Sequence, residues 1–204
     1  MEDDLSLSAY QKDALQEIGN ICAGNAANAL SQLLGKTVSI VVPRIIFLPI
    51  EEVPNAVGGA DKLVAGLVLR VLGDIPSHIL FIFSQRDALA LASVMTQKSV
   101  TNINVITELE RSALKEIGVI LANAYLGALS SFVGMGLVPT TPELIVDMAG
   151  AMVDYILIEL SYVSKFALLI ESEFSEASHS IRGHFFLIPN PQGFQTILKA
   201  VGEG

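Results

Sequence analysis

Residues 13–43 read DALQEIGNICAGNAANALSQLLGKTVSIVVP. Ninety-nine positions later, residues 112–142 read SALKEIGVILANAYLGALSSFVGMGLVPTTP. Laid over one another without a gap, the two stretches are identical at 12 of 31 positions, including A-L-x-E-I-G, A-L-S and the final Pro. A match of that length at one constant offset is the signature of an internal repeat, and it sets the fold expectation before any local propensity is weighed. The chain is read as a tandem duplication with two halves of one design, about 8–100 and 107–201, joined in a single domain over 1–204.

Each half is predicted to run in the same order. A long helix comes first, roughly 8–34 and 107–134. Ser8 stands at the N-cap of the first and Gly35 just past its end. Extended segments follow at 37–50, 62–72 and 77–83, and at 165–172 and 183–189; the run 143–162 is open between helix and strand. A shorter helix closes each half, at 85–97 and 193–201. Gly73-Asp74 and Asn190-Pro191 read as turns. The expectation is an α+β fold with pseudo-two-fold symmetry, in which helices pack on one shared, largely antiparallel sheet.

The composition narrows function. Apolar residues make up 51% of the 204 and charged residues 16%, which suits a large buried core with some apolar partner surface. The richest runs are broken by Arg44, Asp147 and Asp154, so no membrane span of about 18 apolar residues is expected. Net charge is −9 and no Lys/Arg cluster exists, which argues against nucleic acid and anionic membranes. The one cysteine, Cys22, rules out an internal disulfide and points to a reducing cytoplasm; the N-terminus MEDDLSLSAY lacks the basic and apolar regions of a signal peptide.

The first helix contains residues that helices tolerate poorly. EIGNICAGNAANAL (17–30) has three Asn and two Gly. On a wheel advancing about 100° per residue, Asp13, Glu17, Asn20, Gly24 and Asn28 fall in one stripe of about 80°. Leu15, Ile18, Cys22, Ala26 and Leu33 lie opposite as a core face. A solvated helix face ordinarily carries Lys, Glu, Gln or Arg rather than Asn and Gly. Gly24 leaves room for close approach, and Glu17 and Asn20, three residues apart, reach out side by side. No nucleophile sits beside a base, no glycine-rich phosphate loop exists, and His78, His179 and His184 have no metal-ligand spacing. Glu and Asn can hold a lysine and a water. That suffices for catalysis only where a partner brings the metal and the reactive group.

The pattern Asp/Ser, three residues, Glu, two residues, Asn, then 22 residues and Pro, here Asp13, Glu17, Asn20 and Pro43, resembles the CheC/CheX/FliY family of chemotaxis phosphatases. The run E-I-G-N-x-x-A-G-N-A, the second copy, LIVDM (144–148) and the ending FFLIP-x-P strengthen the resemblance to CheC. It implies a hydrolase acting on the aspartyl phosphate of the response regulator CheY. Asn20 would orient the attacking water, Glu17 would pair with the regulator's lysine, and Asp13 and Gly24 would belong to the docking surface. The chain would need no cofactor of its own, because the Mg²⁺ is the regulator's. In the second copy Ser112, Glu116 and Pro142 keep register, but Val119 replaces the Asn, and Asn123 stands where Gly24 does. That copy is expected to be degenerate; binding without hydrolysis, and substitution by Asn123, are the alternatives. The resemblance also implies an adaptor role toward the receptor deamidase CheD through Asp147, against which stands a helix-capping role for that residue. A FliY-like switch component is the weaker expectation, since the sequence ends at Gly204 soon after the second repeat. A monomer is expected.

Overall fold

The computed structural model describes residues 8–98, 105–159, 165–176 and 179–202. The first half runs α1 (Ala9–Leu34), β1 (Ser39–Pro49), a 3₁₀ turn (Ile50–Glu52) leading into α2 (Val53–Ala56), β2 (Leu63–Gly73), β3 (Ser77–Ser84) and α3 (Gln85–Thr96). The second runs α4 (Glu108–Val133), β4 (Leu137–Pro139), β5 (Glu143–Met148), α5 (Ala149–Glu159), β6 (Phe166–Glu176), β7 (His179–Pro189) and α6 (Pro191–Gly202). The long helices are built alike at both ends. Ser8 and Thr107, 99 residues apart, each close a capping box, with Gln11 and Glu110 respectively, and so satisfy amides the first turn leaves open. Gly35 and Gly134 each end their helix in the left-handed conformation, at φ 62° and 67°.

The sequence did not reveal β4 or α2, and it left 143–162 unresolved. Residues 143–148 are strand and 149–159 helix, and 160–162 lie outside the described residues. Subtracting 99 places α5 over residues 50–60, where the 3₁₀ turn and α2 lie, so α2 is a shortened counterpart of α5. The same shift places β4 and β5 over β1. Pro142 falls in the break between β4 and β5, where β1 has Pro43 and runs on. Proline donates no hydrogen bond to a ladder, so each copy needs an irregularity at that point.

All pairings in the seven-stranded sheet are antiparallel, in the order β1-β6-β7-β3-β2-β4, with β5 also on β2. The order reads the same from either edge once the halves are exchanged. The central pair β3–β7 lies on the pseudo-axis, and the first strand of each half pairs with the second strand of the other half.

The sheet is buried on both faces. Ile79, Phe81 and Phe83 of β3 and Phe185 and Leu187 of β7 join the core under α1, α3, α4 and α6. Leu80, Ile82, Phe186 and Ile188 join a second core with Val53 of α2 and Met152, Val153 and Ile156 of α5. Strands with two apolar faces account for the 51% apolar content without a membrane. Among the described residues α4 alone has the length and mean hydropathy to cross a bilayer. Ten of its residues, from Ala113 to Leu129, are buried in the core.

Candidate functional site

The core face of α1 consists of Leu15, Ile18, Gly19, Cys22, Ala23, Ala26 and Leu30. Leu33, expected on that face, is 41% exposed; in the last turn Leu30 and Leu34 meet the core instead. Cys22 is buried against α4, its thiol donating to the Tyr125 carbonyl at 3.6 Å, and burial pushes its pKa up to about 12. Gly19 is packed tight: a Cβ there would meet Val42 Cγ1 at 3.2 Å. Its counterpart Gly118 would meet Leu67 Cδ1 at 3.0 Å. The repeated E-I-G glycine therefore lets each long helix lie close on the sheet.

Asp13, Glu17, Asn20, Gly24 and Asn28 are all exposed, so α1 presents the whole stripe to solvent. A Cβ added at Gly24 would meet nothing within 4 Å, so the smallness of this residue serves no contact inside the chain. Ile21, beside the stripe, is 47% exposed and adds an apolar element to it. Sequence reasoning passed over Gln16, which is half-buried. Its Nε2 donates to the Val42 carbonyl at 2.9 Å and lies 3.4 Å from Asn20 Oδ1. The signal available was the spacing of four to Asn20, together with the change to Lys115 in the second copy.

The α4 stripe is laid out on the same positions with different chemistry. Ser112, Glu116, Val119 and Asn123 are exposed. Ser112 Oγ donates to the Glu108 carbonyl at 3.0 Å, and Asn123 Nδ2 donates to the Val119 carbonyl at 2.9 Å. Both polar groups are turned back onto their own helix, while Val119 offers only methyls. Asp147, exposed on β5, accepts from the Met148 amide at 2.7 Å. It does not cap α5: the first amides of that helix, Ala149 and Gly150, donate to the carbonyls of Lys62 and Ala60.

On the opposite face of the sheet, a cleft of about 320 Å³ is lined by Lys62, Ser84, Asp87, Glu171, Arg182 and His184 among others. Burial lowers the His184 pKa, and Glu171 partly offsets this. None of the stripe residues borders the cleft. Among the described residues no group of three or more His, Cys, Asp or Glu could hold a metal ion.

The geometry has parallels among known proteins. The model of the CheC-like family matches residues 11–47, which span the α1 stripe and β1 as far as Phe47. The chain is 34% identical over 196 residues to the CheY-P phosphatase CheC of Bacillus subtilis (strain 168), covering 94% of each. It is 36% identical over 89 residues to the flagellar motor switch phosphatase FliY of the same organism, 44% of this chain and 23% of that one. The crystal structure of Thermotoga maritima FliY superposes with a TM-score of 0.75 over 98% of this chain and 99% of that one, at 18% identity, a likeness of fold.

Proposed function

The chain belongs to the CheC-like family, and on that premise we propose that it hydrolyses the aspartyl phosphate of a CheY-type response regulator at the α1 stripe. The observation that carries the reading is the exposure of Glu17 and Asn20 on one helix face, beside a Gly24 that fills no internal need. The naming of the 34%-identical relative as a CheY-P phosphatase supports the same activity.

Glu17 pairs with a lysine of the regulator and sets the register of the complex. Gly24 lets the two surfaces close, and Asp13 flanks them. Asn20 enters the regulator's site and places a water in line with phosphorus. The water oxygen bonds to phosphorus while the acyl-phosphate P–O bond breaks, and that electron pair returns to the regulator's aspartate. The water's proton leaves with the phosphate. Mg²⁺ and most of the charge stabilisation belong to the regulator, so the chain contributes placement, which phosphoryl transfer rewards strongly.

One working site is part of the proposal. Val119 cannot hold a water, and Asn123 is bonded to its own helix. The test is phosphate release from a phosphorylated CheY-type regulator. Asn20→Ala is expected to keep its fold and lose on the order of 10²–10³ in turnover. Full turnover would remove Asn20 from the mechanism, and a loss of only about half, the share one of two equal sites supplies, would show that α4 also works.

A second reading rests on β5 and α5: an adaptor that holds the deamidase CheD. Asp147 there adjoins Met148, 51% exposed, and its strand partner Leu63, 48% exposed; Tyr155 and Ile158 of α5 are 41% and 62% exposed. Exposed apolar side chains at the end of β5 and along the helix that follows it, with Asp147 beside them, fit a protein partner. A pull-down that returns no CheD complex removes this reading.

A further inference from the structure

We propose that Gln16 is a positioning residue for the reaction at Asn20, and that β1 takes part in catalysis through it. The inference rests on the reading of Asn20 given above.

The argument begins at the Pro of the motif. Val41 pairs with Glu173 and Arg44 with Glu171, so Val42 and Pro43 together lie opposite one residue of β6. This is a β-bulge, and it falls where Pro43 has no amide to give to the ladder. The Val42 carbonyl at the bulge accepts from Gln16 Nε2 at 2.9 Å. A carbonyl only accepts, so this contact fixes which end of the Gln16 carboxamide points to β1: the nitrogen. That nitrogen then faces Asn20 from 3.4 Å, and a donor there selects the Asn20 oxygen as its neighbour. Asn20 is thereby turned with Oδ1 toward Gln16 and Nδ2 outward. Two amide hydrogens are offered to an incoming group. They can hold the attacking water by one lone pair while the other faces phosphorus, or hold a phosphoryl oxygen as charge builds on it.

The relay gives a physical meaning to the spacing of 22 residues between Asn20 and Pro43. It spans two elements, helix and bulged strand, and ties the outward amide to the sheet. The second copy is an internal comparison in which the whole device is replaced. Lys115 stands for Gln16, Val119 for Asn20 and Thr141 for Val42, and the strand is interrupted between Pro139 and Glu143.

The experiment is a double-mutant cycle on the full chain, with a CheY-type regulator phosphorylated by acetyl phosphate. Gln16→Met removes both donated bonds at similar length. It is expected to lower kcat about tenfold or more, with KM for the phosphorylated regulator within about twofold, since roughly 1.4 kcal/mol of lost transition-state placement is a factor of ten. In the Asn20→Ala background the same change is expected to cost nothing further in kcat, because the residue through which it acts is gone. A Gln16→Met loss that persists in that background would assign Gln16 a merely structural role and overturn the proposal. So would an undiminished kcat in Gln16→Met while Asn20→Ala is inactive. An active Asn20→Ala defeats instead the reading of Asn20 itself. If Gln16→Met does not fold, Gln16→Glu takes its place: it is isosteric, exchanges the donor for an acceptor, and is expected to lower kcat in the same way, an unchanged kcat overturning the proposal.

Discussion

At the scale of single residues, Gly24 separates stability from function. It lies mid-helix, exposed, with open space where a Cβ would sit. Alanine in its place is expected to stabilise the fold by about 1 kcal/mol, because glycine is that much poorer in a helix interior. For a chain of this length that is roughly 2–4 °C in Tm. The same methyl would stand in the proposed docking surface, so KM for the phosphorylated regulator is expected to rise as Tm rises. Thermal melts and phosphatase kinetics on Gly24→Ala check both; a higher Tm with unchanged KM would make Gly24 incidental. The stripe itself was legible in the sequence, because helical periodicity alone decides which side chains share a face. Gln16 was not, because its role depends on a carbonyl 26 residues away that no periodicity brings near.

At the scale of elements, the long helices and the strands β2, β3, β6 and β7 could be read from caps, glycines and apolar runs. The elements missed were short ones. α2 has four residues and β4 three, too few for a period, and Pro139 and Pro142 punctuate the region that holds β4. The helix at 149–159 was obscured because it is apolar on much of its surface, facing the sheet with Met152 and Ile156 and solvent with Tyr155 and Ile158. That outward face belongs to the adaptor reading, and its prediction is made at this level. Asp147→Lys reverses the charge at the junction of β5 and α5 without removing a cap. It is expected to abolish any CheD complex in a pull-down while phosphatase turnover stays within about twofold, since β5 pairs with β2 towards one edge of the sheet, β1 beside α1 forms the other edge, and distant sites add independently. Retained binding would take Asp147 out of that surface.

At the scale of the whole molecule, His184 sets a pH dependence of stability. Its ring is half-buried on the cleft side of the sheet, with Glu171, Asp87 and Arg182 as the charged groups that act on it. Burial dominates and lowers its pKa below the ordinary value of 6.5. The unfolded chain therefore binds the proton more readily than the folded one. By linkage, the stability His184 contributes is complete above about pH 6.5 and is lost as pH falls below it toward the lowered folded value. Urea midpoints are expected to fall between pH 7.5 and pH 5 in the wild type, and to fall less in His184→Gln. Equal falls in the two proteins would show that other groups carry the acid sensitivity.

The interleaved order of strands has a consequence for how such a chain can change over generations. β1, whose bulge anchors Gln16, is paired with β6, a strand of the opposite half. The ground on which the first copy's chemistry stands is thus lent by the second. Changes on the outward face of α4 leave that ground untouched, and there Val119 stands where α1 has Asn20. Mutations in its buried side or in β6 damage both halves at once and are removed. A duplicated half can in this way surrender its trade and still be indispensable as masonry.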